Sequence, residues 1–350
     1  MADMLSNRAR GILRAIVEDY TYTAEPVGSR TIVKRYALDI SPATVRSIMA
    51  DLEEEDYLIQ PYPSAGRIPT DKGFRLYVDS LLKVRQLSKD EQERICSRYK
   101  DSMDVGDIIK ETSKILSTIS GCIGLVLAPR FDSVIIKHIQ FIRLGYKQVL
   151  ILLVSSTGLV QTKAVHTESD IGQPDLDRMS AYLRSMAAGL TLMELRARVV
   201  EEMGKEKNLY DRLMAKALEM GKKAFMEGDE GDVYVGGRVN IIDQPEFAKD
   251  VERMKALFKA FEEKGILVKL LDRGFEAGGV QIFIGSENEL SEIKGCSLVT
   301  STYGSGGYVL GTLGVIGPIR MDYSRVIPLV DWTARLLGDM LTTKVAEGRD

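Results

Sequence analysis

ISPATVRSIMADLEEEDYLIQPYPSAGRIPTDKGFR, residues 40–75, is the stretch on which the reading of this 350-residue chain turns. Ser41-Pro42 puts a hydroxyl that can accept from a free helical N–H directly before a proline at the first helical position, where the missing donor costs nothing. From there Val45, Ile48, Met49 and Leu52 recur at helical spacing and form an inward face. Ala43, Thr44, Arg46 and Ser47 cluster at the leading end, partly outward, and Glu53, Glu54, Glu55 and Asp56 close the rear. Tyr57-Leu58-Ile59 has the content of a short strand, Arg67-Ile68 of its antiparallel return, and Gln60 to Gly66 between them is a turn-rich loop. Thr70 then caps a further helix with Phe74, Tyr77, Val78, Leu81 and Leu82 on its apolar side.

Upstream, Leu5, Ala9, Ile12, Leu13, Ile16 and Val17 predict a first helix, and Ser29 is the expected cap of a second that buries Ile32, Val33 and Tyr36. Helices, hairpin and closing helix in this order predict a winged helix-turn-helix over residues 1–85. In that geometry the third helix leads into a major groove: Ala43 permits close approach, Thr44 offers a methyl to thymine, and Arg46 grips guanine or phosphate, with Ser47 beside them. The loop forms the wing, with Ser64 near its tip, Gly66 letting the backbone approach sugar and phosphate, and Arg67 supplying charge. Lys72 and Arg75 are expected on the DNA backbone. Residues 1–85 hold twelve Lys or Arg against twelve Asp or Glu, so DNA binding requires that the charges segregate. Placing the acidic run at the rear of the third helix does so. Winged helices also serve protein docking, which keeps open an interaction factor without a specific operator.

The whole chain, 45% hydrophobic, 28% charged and with a net charge of −3, reads as globular and excludes a generally basic nucleic-acid coat. Cys96, Cys122 and Cys296 are few, odd in number and far apart, which suits buried thiols in a reducing cytoplasm. The longest apolar run, Val149 to Val154, is too short for a bilayer, and no signal-peptide pattern opens the chain. A cytoplasmic protein without membrane association is expected. His138 and His166 have no metal-like spacing, Gly304-Ser305-Gly306-Gly307 lacks the lysine of a phosphate loop and reads as a hairpin turn, and no nucleophile signature is present. No catalytic residue, metal or cofactor is assigned, and no enzyme is expected.

Three blocks in the first 85 residues, Glu25-Pro26-Val27-Gly28-Ser29-Arg30-Thr31, Ser41-Pro42-Ala43-Thr44-Val45-Arg46 with Met49-Ala50-Asp51-Leu52-Glu53, and Ser64-Ala65-Gly66-Arg67-Ile68-Pro69-Thr70-Asp71-Lys72-Gly73, resemble the HrcA family of bacterial heat-shock repressors. The resemblance resumes at Ile284-Gly285-Ser286-Glu287-Asn288, Ser297-Leu298-Val299 and Gly314 to Tyr323. It implies a homodimeric repressor of chaperone operons, bound to the inverted-repeat operator called CIRCE and modulated by the chaperonin GroEL. It also implies a multidomain α+β architecture: an amino-terminal winged helix, a GAF-like domain, and a mainly helical dimerisation element inserted in the latter. A GAF-like domain leaves room for another reading, a winged-helix regulator controlled by a small ligand.

Residues 86–120 read as a polar boundary and then an amphipathic helix ending near Gly121. Branched runs at 122–127, 133–141, 148–154 and 159–165 predict one mixed or antiparallel sheet with a helix on one side. Pro174 opens a Leu- and Met-rich helical regime with a Thr191/Glu194 capping box. The predicted division is therefore 1–85, 86–173 as the first GAF-like part, 174–235 as the inserted dimerisation element, and 236–345 as the second GAF-like part. The last part is expected to hold a helix over 245–264, strands at 280–284, 297–303 and 308–316, and a closing helix over 325–341.

Overall fold

A computed structural model of the chain describes residues 5–37, 39–129, 135–156, 160–205, 216–218, 220, 232–248, 250–277, 279–305 and 308–347. Leu209, Leu213, Met214 and Phe225 of the Leu- and Met-rich stretch expected to be helical, and the tip of the 304–307 turn at 306–307, lie outside the described residues.

The amino-terminal head comprises α1 (Asn7–Thr23), α2 (Ser29–Tyr36), α3 (Pro42–Glu54), the two-residue strands β1 (Leu58–Ile59) and β2 (Ile68–Pro69), and α4 (Asp71–Leu76), which runs on into a π-helical turn over Tyr77–Leu81. The strong local signals act as their chemistry requires: Ser41 Oγ accepts the Thr44 N–H at 3.1 Å, and Thr70 Oγ1 accepts the Gly73 N–H at 3.1 Å. β1 and β2 pair antiparallel, Leu58 opposite Pro69 and Ile59 opposite Ile68. One expectation changes: Gly28, not Ser29, is the N-cap of α2, and no side chain caps it, because Ser29 is turned inward and buried.

A linker over 82–88 leads to α5 (Lys89–Cys96) and α6 (Val105–Ser120). The body is built on five antiparallel strands in the order β7-β3-β10-β9-β8: β3 (Ile123–Leu127), β7 (Val233–Gly236), β8 (Val280–Ile284), β9 (Cys296–Ser305) and β10 (Tyr308–Pro318). Two helices, α9 (Val251–Glu262) and α10 (Lys264–Ala277), cover one face, where Leu257, Leu267 and Leu271 meet Ile123, Leu298 and Ile316. α6 and the closing helix α11 (Tyr323–Glu347) cover the other, with Leu116, Leu329 and Leu337 near Val299, Leu313 and Val315. Leu267, Leu298 and Ile316 on one side and Val299, Val315 and Leu329 on the other are at most 2% exposed, so the chain's own side chains occupy both faces.

Residues 135–205 follow a different plan. β4 (Ile136–Gly145), β5 (Gln148–Ser155) and β6 (Val160–His166) form their own three-stranded antiparallel sheet, backed on one face by α7 (Gln173–Ala187), with α8 (Leu192–Lys205) against α7. Ser180 of α7 accepts the Phe141 N–H at 2.9 Å, and the Thr191/Glu194 capping box forms as expected. These strands were expected in one sheet with 122–127, and they pair with none of the five. Because β3 pairs directly with β7, Leu127 opposite Val233, the excursion from the body sheet begins after Leu127 and not at Pro174. Alternation of apolar residues sets a strand's two faces but does not specify its neighbour, which is why the sequence grouped these strands wrongly.

Candidate nucleic-acid interface

The front of α3 is the most open functional surface of the head. Ala43, Thr44, Arg46 and Ser47 are all exposed, while Val45, Met49 and Leu52 are buried behind them in contact with the rest of the head core. Arg46 has no ion-pair or hydrogen-bond partner among the described residues. A groove of about 470 Å³ joins this surface to the wing and to the start of α2, lined by Gly28, Ser29, Arg46, Gln60, Ser64 and Gly66 among others. The α2 N-terminus, lacking a side-chain cap, leaves N–H groups at the groove, the arrangement that favours an anion. Gly28 and Ser29 were not singled out as binding residues; the signal was the missing side-chain cap, masked by a serine that looked like one.

The wing is braced from behind. Arg67 exchanges backbone hydrogen bonds with Val27, both at 2.9 Å, and its Nη2 lies 2.7 Å from Glu53 Oε2. The other Glu53 oxygen accepts the Gln60 N–H at 3.0 Å. Glu53 is thus not a solvated rear charge: it ties the wing to α3, and the Arg67 guanidinium is engaged with it. Gly66 is also used internally. A Cβ there would stand 2.7 Å from the Pro26 carbonyl carbon and closer still to Val27, so the tight approach that needs glycine is to the α1–α2 loop. Gly66→Ala is expected to cost about 1–3 kcal/mol of stability through this backbone clash, read as a lowered denaturation midpoint; an unchanged midpoint counts against the packing. Ser64 takes a left-handed conformation, φ 70°, at the exposed tip, and Tyr62 beside it is 60% exposed.

Lys72 and Arg75 are placed elsewhere. The Lys72 ammonium donates to the Glu55 carbonyl at 2.6 Å and sits 4.4 Å from the centre of the Tyr57 ring. It therefore neutralises the C-terminal end of α3, roughly 20 Å from its reading end by helical rise. Arg75 is bonded to the body, to Glu287 and to the Ile282 carbonyl. The structure brings Ala43, Thr44, Arg46, Ser47, Ser64, Gly66 and Arg67 to one side of the head and leaves these two apart. A charged residue at the fifth position of a helix gives no hint of a partner more than 200 residues away.

A second surface lies on the three-stranded sheet. Its inner residues Val149, Ile151 and Leu153 are buried under α7. The opposite face, in cross-strand register, presents Ile142, Leu150 and Ala164, then Gln140, Leu152 and Thr162, then His138, Val154 and Val160. Ile142, Leu150, Leu152 and Val154 are half-buried and Val160 is exposed. Among the described residues no cluster of His, Cys, Asp or Glu could hold a metal ion, and no helix is long and apolar enough to cross a membrane.

Fold and surface together define a multidomain α+β protein whose head exposes the capped front of α3 beside the β1–β2 loop. Residues 106–327 match the family model described as HrcA protein C terminal domain. The heat-inducible transcription repressor HrcA of Geobacter sulfurreducens is 51% identical over 338 residues, covering 96% of this chain and 98% of that protein. That of Syntrophobacter fumaroxidans is 46% identical over 340 residues, covering 96% and 97%. The chain belongs to the HrcA family of heat-inducible transcription repressors. A crystal structure of a hypothetical protein at 2.2 Å resolution shares the fold, with a TM-score of 0.62 and 19% identity over 97% of this chain and 99% of that one.

Proposed function

We propose that the protein represses heat-shock chaperone operons as a homodimer, its two winged-helix heads seated on the half-sites of an inverted-repeat CIRCE operator that overlaps transcription initiation. The observation that carries this is the exposed set Ala43, Thr44, Arg46 and Ser47 at the capped front of α3, with an unpaired arginine facing the same groove as the wing. Ala43, Thr44, Arg46 and Ser47 read or approach the major groove. Ser64, Gly66 and Tyr62 shape the wing contact, Arg67 positions it through Glu53, and the free N–H groups at Gly28 and Ser29 take a phosphate. The division we favour is a winged-helix head over 1–85, a GAF-like body over 86–127 and 233–345, and an inserted dimerisation unit over 128–232. Filled faces on the body sheet favour a repressor over a metabolite sensor, and the family relation supports the chaperonin GroEL as modulator.

Footprinting of the purified protein on the inverted repeat at two salt concentrations tests the reading, since salt separates phosphate charge from base readout. Arg46→Ala is expected to cost about 1–3 kcal/mol on the cognate site and to reduce discrimination. Equal weakening on cognate and scrambled duplexes would show that Arg46 contacts phosphate only. Protection that vanishes under excess nonspecific competitor would sink operator recognition itself.

A further inference from the structure

The head is joined to the body by a linker of seven residues without regular structure, 82–88, long enough to span roughly 23 Å when extended. Covalent connection alone therefore leaves its direction open. A set of polar contacts closes it, beside the packing of Phe74 of the head on Tyr323 of the body. Arg75 Nε donates to Glu287 Oε1 at 2.8 Å, and its Nη2 donates to Glu287 Oε2 and, at 2.7 Å, to the Ile282 carbonyl on the edge strand β8. One turn earlier in α4, Asp71 Oδ2 accepts the Ser286 N–H at 2.7 Å. Glu287 is itself held by the Ile284 N–H at 2.8 Å. Burial opposes its charge, but the hydrogen bonds from Arg75 and Ile284 and the attraction of the guanidinium outweigh that and keep its carboxyl below the usual range. The contact is therefore ionised at neutral pH and is lost only as the pH falls through that lowered value. Gly285 has φ +51°, and a Cβ there would stand 2.5 Å from the Asp71 carboxyl carbon. At the end of α1, Arg320 of the body, steadied by Gln244 and Glu246, donates to the Thr21 carbonyl at 3.1 Å.

We propose that Gly285, Ser286 and Glu287 are positioning residues: by gripping Asp71 and Arg75 they set the direction of each α3, and so the half-site spacing the dimer accepts. This rests on the dimeric operator reading above. A head free on its linker would adapt to many spacings, whereas a docked head matches one, because half-sites must recur on the same side of the duplex.

Full-length wild type, E287Q and G285A are titrated against the inverted repeat, against the repeat with its spacer lengthened by about half a helical turn (~5 bp), and against a single half-site. Wild type is expected to prefer the natural spacing by at least about tenfold. Both variants should bind the single half-site as wild type does, with the spacing preference reduced to about threefold or less. Retention of the wild-type preference by both variants overturns the proposal. A wild type that binds the two spacings alike, or the single half-site as tightly as the repeat, overturns the dimeric reading beneath it instead. Single half-site binding reports a folded head, and D71N, which weakens the Ser286 contact, replaces any variant that fails that check.

Discussion

Leu152→Glu is expected to convert the protein to a monomer and to lower its affinity for the inverted repeat by about 10²–10⁴-fold, the factor by which tethering a second head raises binding over one head alone. Leu152 lies at the centre of the sheet face turned away from α7, flanked across the strands by Gln140 and Thr162. It is half-buried in the single chain, so a carboxylate there keeps contact with water and the protomer should fold. Against a second copy the same charge would be desolvated, and the two-fold relation would bring a like charge with it. Sedimentation equilibrium gives the oligomeric state and mobility-shift titration the affinity. A Leu152→Glu protein that remains dimeric would move the dimer contact off this face. Monomerisation with undiminished repeat binding would instead remove the need for two heads.

The second large effect is expected at Phe74. Its ring, 1% exposed, stands 6.3 Å from Tyr20 of α1 on one side and 6.3 Å from Tyr323 at the start of α11 on the other. Tyr323 is anchored in turn, its hydroxyl 2.6 Å from Ser297 Oγ and donating to the Ile319 carbonyl at 2.8 Å. Phe74 thus packs the head core and its seam with the body at once, and Phe74→Ala should cost about 3–5 kcal/mol. If the two parts share this core, a single thermal transition moves down as a whole. Loss of head signals alone, with the body transition unmoved, would mean that the ring serves only the head.

Much of the head was legible because its instructions are local. Ser41-Pro42 and Thr70 specify helix starts within three residues, and the wing announces itself through turn chemistry between two short apolar runs. The strands at 280–284, 297–303 and 308–316 and the closing helix were equally plain from their periodicity. Two helices were missed although signals for one were present: Ser88 and Glu91 form a reciprocal capping box at the start of α5, hidden in a polar stretch. α10 follows α9 after a single residue, Glu263, so 264–277 carried no separate cap to mark it.

The site divides along the same line. Exposure of Ala43, Thr44, Arg46 and Ser47 follows from a helical repeat whose buried positions are obvious, and the sequence was enough. Lys72, Arg75, Gly66 and Arg67 looked like equal candidates because charge and small size are what a phosphate contact needs. Their partners, Glu55, Glu287, Val27 and Glu53, show that the same properties serve the fold.

By itself the sequence determined a capped third helix followed by a short hairpin, and through its long matching blocks the family to which the chain belongs. Only the tertiary structure decided which strands share a sheet, which sheet face turns away from α7, and which charges are already paired. Caps, turns and periodic faces arise from interactions within a few residues and leave a mark on the local pattern. Strand partners and ion pairs are chosen among all segments that come close in space, and Arg75 with Glu287, 212 residues apart, leaves no such mark.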